Sequence, residues 1–243
     1  MKTFVISMPT SVERRKHVTD SLSSKGIAFE FIDAVNGREN KHPLLHRYDR
    51  AHYIINRGRE AKAGELGCYA SHYLAWEKAC ELNEPIVVLE DDLTVQDDFV
   101  QIINDCEQWI SKKGFIRIEP WKTKLFTKIQ TGKNTNLYYL FKIPQCTTGY
   151  IISPKCAKAF ISSSQQFKMP VDLFLRHTYL HRQPIHGVMP PAVKTGTAPS
   201  IIGDRAQRIR TPIIALKRTI YRISTFCIVA LVNAGMFIKT KYT

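Results

Sequence analysis

Five residues without a charge followed at once by three carboxylates constrain this chain more than any other stretch. Pro85-Ile86-Val87-Val88-Leu89 is short and wholly apolar, the pattern of a strand at the centre of a sheet covered on both faces. It runs directly into Glu90-Asp91-Asp92. Open α/β sheets bind ligands at the carboxyl ends of their strands. Adjacent carboxylates repel one another, so the cluster is unfavourable unless a cation offsets it. Hard divalent ions such as Mg²⁺ or Mn²⁺ take oxygen ligands of this kind and also hold phosphate oxygens. A short acidic run by itself is usually a solvated loop. The buried strand in front of it is what turns the expectation toward a metal-assisted, phosphate-binding site.

Glycine-loop phosphate sites are excluded. A P-loop needs G-x-x-x-x-G-K-[ST], and here Gly132-Lys133 is followed by Asn134; no G-x-G-x-x-G occurs either. The pattern around the triplet predicts an α/β domain. Phe4–Met8 reads as a first strand, followed by a Pro9-Thr10-Ser11 turn whose hydroxyl is placed to cap a helix over 12–25, ended by Gly26. Residues 28–35 read as a second strand closed by Asn36-Gly37, which completes a βαβ-type opening. Residues 38–63 read as a loop with short helical pieces. From Leu66 to Leu82 apolar residues recur at helical spacing. A helix over 99–113 follows, then strands at 115–118, 137–143 and 149–152, and helices from Ser153-Pro154 and over 171–179.

Length and charge bound the rest. A chain of 243 residues holds one substantial core. Its 35 Lys and Arg against 21 Asp and Glu leave +14, which calls for acidic partners: nucleic acid, an anionic membrane or phosphorylated substrates. The six cysteines form no C-x-x-C pair, and the apolar run at the N-terminus is too short for a secretory signal, so a reducing, cytoplasmic compartment is expected. The boundary of the body is placed at residue 203. Residues 204–243 form a tail with eight Lys or Arg and one acid, and an apolar run from Ile223 to Ile238. That run falls short of the roughly 20 residues that span a bilayer. The tail suits a helix lying peripherally on an anionic inner-membrane surface, and equally one packed on the core with a solvated basic face.

Gly64-Glu65-Leu66-Gly67-Cys68-Tyr69-Ala70-Ser71-His72-Tyr73-Leu74-Ala75-Trp76, followed by Leu89-Glu90-Asp91-Asp92, resembles the G-x-x-G-C-x-x-S-H-x-x-x-W … L-E-D-D signature of glycosyltransferase family 25. Val5-Ile6-Ser7-Met8 with Glu13-Arg14-Arg15, and Ile32-Asp33-Ala34-Val35-Asn36-Gly37, also match that family's opening unit. The resemblance is continuous to about residue 100 and patchier to about 205. It implies a GT-A-type (Rossmann-like) α/β fold in a single domain, a mostly parallel sheet flanked by helices. It implies a UDP-sugar donor, commonly UDP-galactose, a divalent metal ion, inversion at the anomeric carbon and a lipooligosaccharide or lipopolysaccharide acceptor. Glu90-Asp91-Asp92 stands where such enzymes carry a DxD motif. Glu90 and Asp92 are then the metal ligands, with Asp92 first, and Asp91 faces the donor.

Inversion needs a base for the acceptor hydroxyl, and Asp172, in a V-D-x-F-L stretch like the family's, is the candidate. An Asp after Pro170 is just as well a helix cap. Arg14 (or Arg15), Asp33, Ser71 and His72 are candidates for donor binding. Against each stands a plainer role: solvated cation, turn-forming acid, or buried core residue. His186 is a guess at a third metal ligand, and His177 with His181 lacks the Glu of a zinc motif. Two rivals remain: an inactive scaffold of the same fold, and a nucleic-acid-binding protein, for which no recognition motif is present.

Overall fold

The computed structural model describes residues 1–196, Ile209 and residues 211–241. The boundary expected at 203–204 lies outside the described residues. Ten strands and eight α-helices follow in chain order: β1 (Lys2–Ser7), α1 (Val12–Ser23), β2 (Glu30–Asp33), α2 (Arg50–Arg57), α3 (Ala63–Leu82), β3 (Ile86–Glu90), β4 (Leu93–Val95), α4 (Phe99–Lys113), β5 (Phe115–Arg117), β6 (Phe126–Thr131), β7 (Asn136–Leu140), β8 (Gly149–Ile152), α5 (Pro154–Ser163), α6 (Val171–Arg176), α7 (Thr178–His181), β9 (His186–Met189), β10 (Val193–Thr195) and α8 (Pro212–Lys241).

Eight strands form one sheet in the order β2-β1-β3-β8-β5-β9-β7-β6. Six of them run the same way; β8 and β7 run against the rest. β4 and β10 pair as a separate antiparallel ribbon beyond the end of β3.

Alternation along each strand assigns the two faces, because successive side chains point to opposite sides. In β3, Ile86 and Val88 join the core under α3 and α5, while Val87 and Leu89 join the core under α1 and α4. Phe4 and Ile6 against Val5, and Tyr150 and Ile152 against Ile151, repeat the division. The helix ends follow local chemistry. Ser153 caps α5 by accepting from the Cys156 amide at 3.3 Å, with Pro154 in the first turn. At α1 the expected side-chain cap is missing: Ser11 supplies only its carbonyl, to the Arg15 amide.

Several strands were not legible beforehand. β6 reads Phe-Thr-Lys-Ile-Gln-Thr on an exposed sheet edge, so it lacks an apolar face. β4, β9 and β10 are three or four residues long and depend on partners distant in sequence. The stretch 38–63 holds α2, preceded by a short 3₁₀ turn over Pro43–Arg47.

The start of α3 is fixed by charge and by close backbone approach. Glu65 accepts from both terminal nitrogens of Arg59, at 2.7 and 2.6 Å, and from the Lys62 amide at 3.0 Å. Opposite it, a Cβ on Gly67 would lie 2.4 Å from the Val35 carbonyl, and one on Gly37 only 1.8 Å from that of Ala63. Glycine at both positions lets α3 lie against the turn after β2. Burial works against the Glu65 charge, but the Arg59 and Lys62 hydrogen bonds prevail and hold its carboxyl below the ordinary value. A depressed carboxylate stabilises the fold above its unfolded value of about 4.3 and ceases to do so as pH falls through the folded value. Glu65→Gln is therefore expected to cost about 2 kcal/mol at pH 7. In urea titrations the gap between variant and wild type should close below about pH 4.

Candidate functional site

The parity of β3 carries on into the triplet. Glu90 continues the Ile86–Val88 face and meets α3; Asp91 turns to the other face and meets α1. His72 Nε2 lies 3.0 Å from Glu90 Oε1, and the Thr147 hydroxyl donates to the same oxygen at 2.8 Å. Trp76 Nε1–H donates to the Tyr150 hydroxyl at 3.2 Å, and that hydroxyl lies 3.0 Å from His72 Nδ1. With His72 neutral, one arrangement gives every donor an acceptor: Trp76 to Tyr150, Tyr150 to Nδ1, and Nε2–H to Glu90. Burial disfavours the Glu90 charge, yet the His72 and Thr147 hydrogen bonds outweigh it and hold the carboxyl below its usual range.

Asp91 is buried and accepts from the Ser7 hydroxyl at 2.6 Å and from Arg14 Nη1 at 3.0 Å. Arg15 bonds Asp33 and the Ser7 carbonyl, and its guanidinium lies over the Phe31 ring, 4.4 Å from the centroid. Asp33 itself is exposed at the end of β2. The first turn of α1 and the end of β2 thus present Arg14, Arg15 and Asp33 at the same sheet end as the triplet.

Asp92 differs from its neighbours. Its Oδ1 is buried without a hydrogen-bond partner. Burial first, and the nearby Glu90 charge second, push its carboxyl up to about 6. Its backbone is pinned from the far side of the fold: the Gly196 amide donates to the Asp92 carbonyl at 2.6 Å, and a Cβ on Gly196 would lie 2.3 Å from that oxygen. A buried, unpartnered carboxylate oxygen among other carboxylates is the donor set that a hard divalent ion completes. Cys68, His72 and Glu90 also converge, with ligand atoms all within 4.8 Å of one another.

Asp172 lies on α6, which packs against α3, the helix that carries Cys68 and His72. Burial raises the Cys68 thiol, and the charges of Glu90, Asp172 and Asp92 raise it further. Asp172 does not cap α6, since Pro170 holds that position; its Oδ1 accepts from the adjacent Leu173 amide at 2.7 Å. Burial raises its carboxyl above the ordinary value.

Ser71 lies apart from this chemistry. Its hydroxyl accepts from the Val35 amide at 2.9 Å and donates to the Gly67 carbonyl at 2.7 Å, which ties α3 to the end of β2. The guess at His186 is overturned. That residue sits at the start of β9, level with Ile116, and donates its Nδ1–H to the Phe115 carbonyl at 3.1 Å. Three strand spacings, about 14 Å, separate β9 from β3. His177 and His181 each engage a backbone carbonyl, of Leu173 and Leu175.

Four residues escaped the sequence reading. Arg117 and Glu119 form a fully buried ion pair; Arg117 donates to the carbonyls of Pro144 and Cys146, and Glu119 accepts from the Gly149 amide at 2.6 Å. They fix the turn that carries Thr147 to Glu90. Their signal was present as opposite charges two apart in an apolar strand. Thr147 and Tyr150 had no signal of their own.

The model of glycosyltransferase family 25, described as LPS biosynthesis proteins, matches residues 1–175. The chain belongs to glycosyltransferase family 25. Among curated relatives, the lacto-N-neotetraose biosynthesis glycosyltransferase LgtE of Neisseria gonorrhoeae is 28% identical over 176 residues, covering 66% of this chain and 60% of its own. The lipooligosaccharide biosynthesis protein lex-1 of Haemophilus influenzae is 29% identical over 197 residues, covering 66% and 63%. The chain spans 60–64% of the length of these and the other first-ranked relatives. Among solved structures, the catalytic domain of Drosophila β1,4-galactosyltransferase 7 with xylobiose has a TM-score of 0.45 at 11% identity, covering 89% of this chain and 79% of that one. The mostly parallel sheet flanked by helices that is expected for the family is the one observed.

His72 and Thr147 share one oxygen of Glu90, so their contributions are coupled. His72→Phe and Thr147→Val are each expected to cost about 1–3 kcal/mol in urea unfolding. The double variant should depart from additivity by about 0.5 kcal/mol or more; strict additivity would mean that the two groups do not share the carboxylate.

Proposed function

We propose that this chain is an inverting glycosyltransferase that moves a sugar, galactose, from its UDP-activated form to a lipooligosaccharide or lipopolysaccharide acceptor. The site of action is the cytoplasmic face of the inner membrane. The observation that carries this reading is the orphaned, buried Oδ1 of Asp92 at the carboxyl end of the central strand.

Asp92, with Glu90 beside it, would hold a divalent ion, Mn²⁺ or Mg²⁺. When bound, such an ion supplies positive charge against the diphosphate as it departs. The protein's own groups do the rest. Arg14 holds Asp91 in place and puts a cation at the donor end of the sheet. Asp33, exposed at the end of β2, offers a carboxylate to ribose or uracil hydrogen-bond donors. Asp172 takes the proton of the acceptor hydroxyl as its oxygen bonds to the anomeric carbon. The bond from that carbon to the diphosphate oxygen breaks, and UDP leaves with the electron pair. A carboxyl raised above the ordinary value is a better proton acceptor for this step than an unperturbed one.

Hydrolysis of a panel of UDP-sugars, with Mn²⁺ and with chelator, tests the proposal. Release of UDP should depend on metal and favour UDP-galactose. Asp92→Asn should lower it by about 100-fold or more, with weakened metal dependence. Asp172→Asn should lower transfer about 100-fold while UDP affinity by calorimetry stays unchanged. No metal-dependent release from any donor, together with no UDP binding, would rule the reading out.

A further inference from the structure

α8 leaves much of its apolar surface outside the body. Its 30 residues make a rod of about 45 Å. The face toward the body carries polar anchors among apolar residues such as Val229, Val232 and Phe237. Gly58 leaves room for the Arg218 guanidinium. Tyr221 meets the Tyr179 hydroxyl at 3.3 Å and stacks on His177. Asn233, 1% exposed, donates to the Phe141 carbonyl at 2.8 Å and accepts from Thr178 at 2.7 Å, while its own carbonyl accepts from Tyr139 at 2.7 Å. Phe237 closes this seam against Tyr139 and Phe141.

The outward face is apolar. Leu216, Ile220, Ile223, Phe226, Leu231 and Ile238 are each between 58% and 73% exposed. Water is the wrong solvent for such a face, since apolar surface is favourable only when removed from it. Charge says what the right one is. No Asp or Glu occurs after Asp204, and the exposed Lys217, Arg222 and Lys239 flank the apolar stripe on a chain of net charge +14. Cations bordering an outward apolar face match an anionic phospholipid surface.

A continuous stretch, Pro212–Lys239, is long and apolar enough to cross a membrane, which corrects the sixteen-residue run expected from sequence. The docking contacts decide how it lies. Arg218 and Tyr221 tie one half to the body, and Asn233 and Phe237 tie the other, so the rod cannot leave the protein surface lengthwise while these hold. We propose that α8 is an in-plane anchor, its outward face sunk in the boundary between head groups and acyl chains of an anionic bilayer. α8 packs on α2 and α7, and α7 packs on α6, which carries Asp172. A chain of packed helices thus links the anchor to the element that carries the candidate base; the use of that link for a lipid-borne acceptor, unlike the anchoring itself, rests on the glycolipid-acceptor reading.

Flotation of the full chain with vesicles tests it. Wild type should bind phosphatidylethanolamine–phosphatidylglycerol vesicles and bind phosphatidylcholine vesicles at least tenfold more weakly, a change of about 1.4 kcal/mol. Leu216→Ser/Ile223→Ser/Leu231→Ser should lose binding, with circular dichroism and UDP release unchanged. Lys217→Gln/Arg222→Gln should weaken it about tenfold, most visibly at low salt. Alkaline carbonate should strip the wild type from membranes. Equal binding by the triple variant overturns the proposal. So does carbonate resistance, which would mean a spanning helix, or a dimer abolished by the triple variant without vesicle binding, which would mean a second copy covers the face. Vesicle binding without UDP release upholds the anchor and sinks the transferase reading alone.

Discussion

The fold is organised around one carboxylate held half-buried at the end of a strand. Glu90 ends the central strand, under α3, where an uncompensated charge would cost several kcal/mol. Two hydrogen bonds to a single oxygen offset that cost, and each donor is itself held by a chain of contacts. His72 is oriented by Tyr150, Tyr150 by Trp76, and both aromatics lie in the core beneath α3. Thr147 sits on a turn that Arg117 and Glu119 fasten from below. The signature residues on α3 are therefore tied to the acidic strand through physics that needs no ligand. His72 in particular acts as the positioner of a carboxylate.

The same alternation that separates the two cores also separates the roles of three adjacent acids. Glu90 faces α3 and is satisfied by it. Asp91 faces α1 and is satisfied by Ser7 and Arg14. Asp92 lies past the strand, where the chain bends into β4, and its side-chain oxygen finds nothing. Two neutralised neighbours allow a third, unneutralised group to persist at the same sheet end. Burial, and then repulsion from Glu90, keep the Asp92 carboxyl high, which makes it the member of the triplet with most to gain from a cation.

What the sequence disclosed follows from the range of the interactions involved. The β3–triplet junction was legible because a buried strand is a local pattern, and α3 because apolar residues recur along it, although the helix is covered nearly all round, with only Glu77 and Glu81 exposed. The choice of Asp172 came from a resemblance and not from spacing; geometry bears on it only through the packing of α6 on α3. Ser71 and His72 were marked for ligand binding since they stand in a signature, yet the Ser71 hydroxyl is spent on Val35 and Gly67. Signatures record packing as well as chemistry, and a single sequence does not separate the two. Arg117 and Glu119 are marked in the sequence only as opposite charges two apart in an apolar strand; their role stays hidden because their partners are backbone carbonyls and an amide near 30 residues away.

The tail shows the limit of reading composition alone in a different way. A basic, apolar segment fits a helix on the core and a helix on lipid equally well, and the two differ only in which stripe faces inward. Asn233 settles the direction here. An asparagine whose side chain and carbonyl are all engaged by the body is costly to turn outward. Together with Arg218 and Tyr221 on the other half of the helix it fixes the rotation of the rod, which leaves Leu216, Ile223 and Leu231 exposed. The polar anchors hold the helix to the protein, and the apolar stripe is left for a surface that water does not provide.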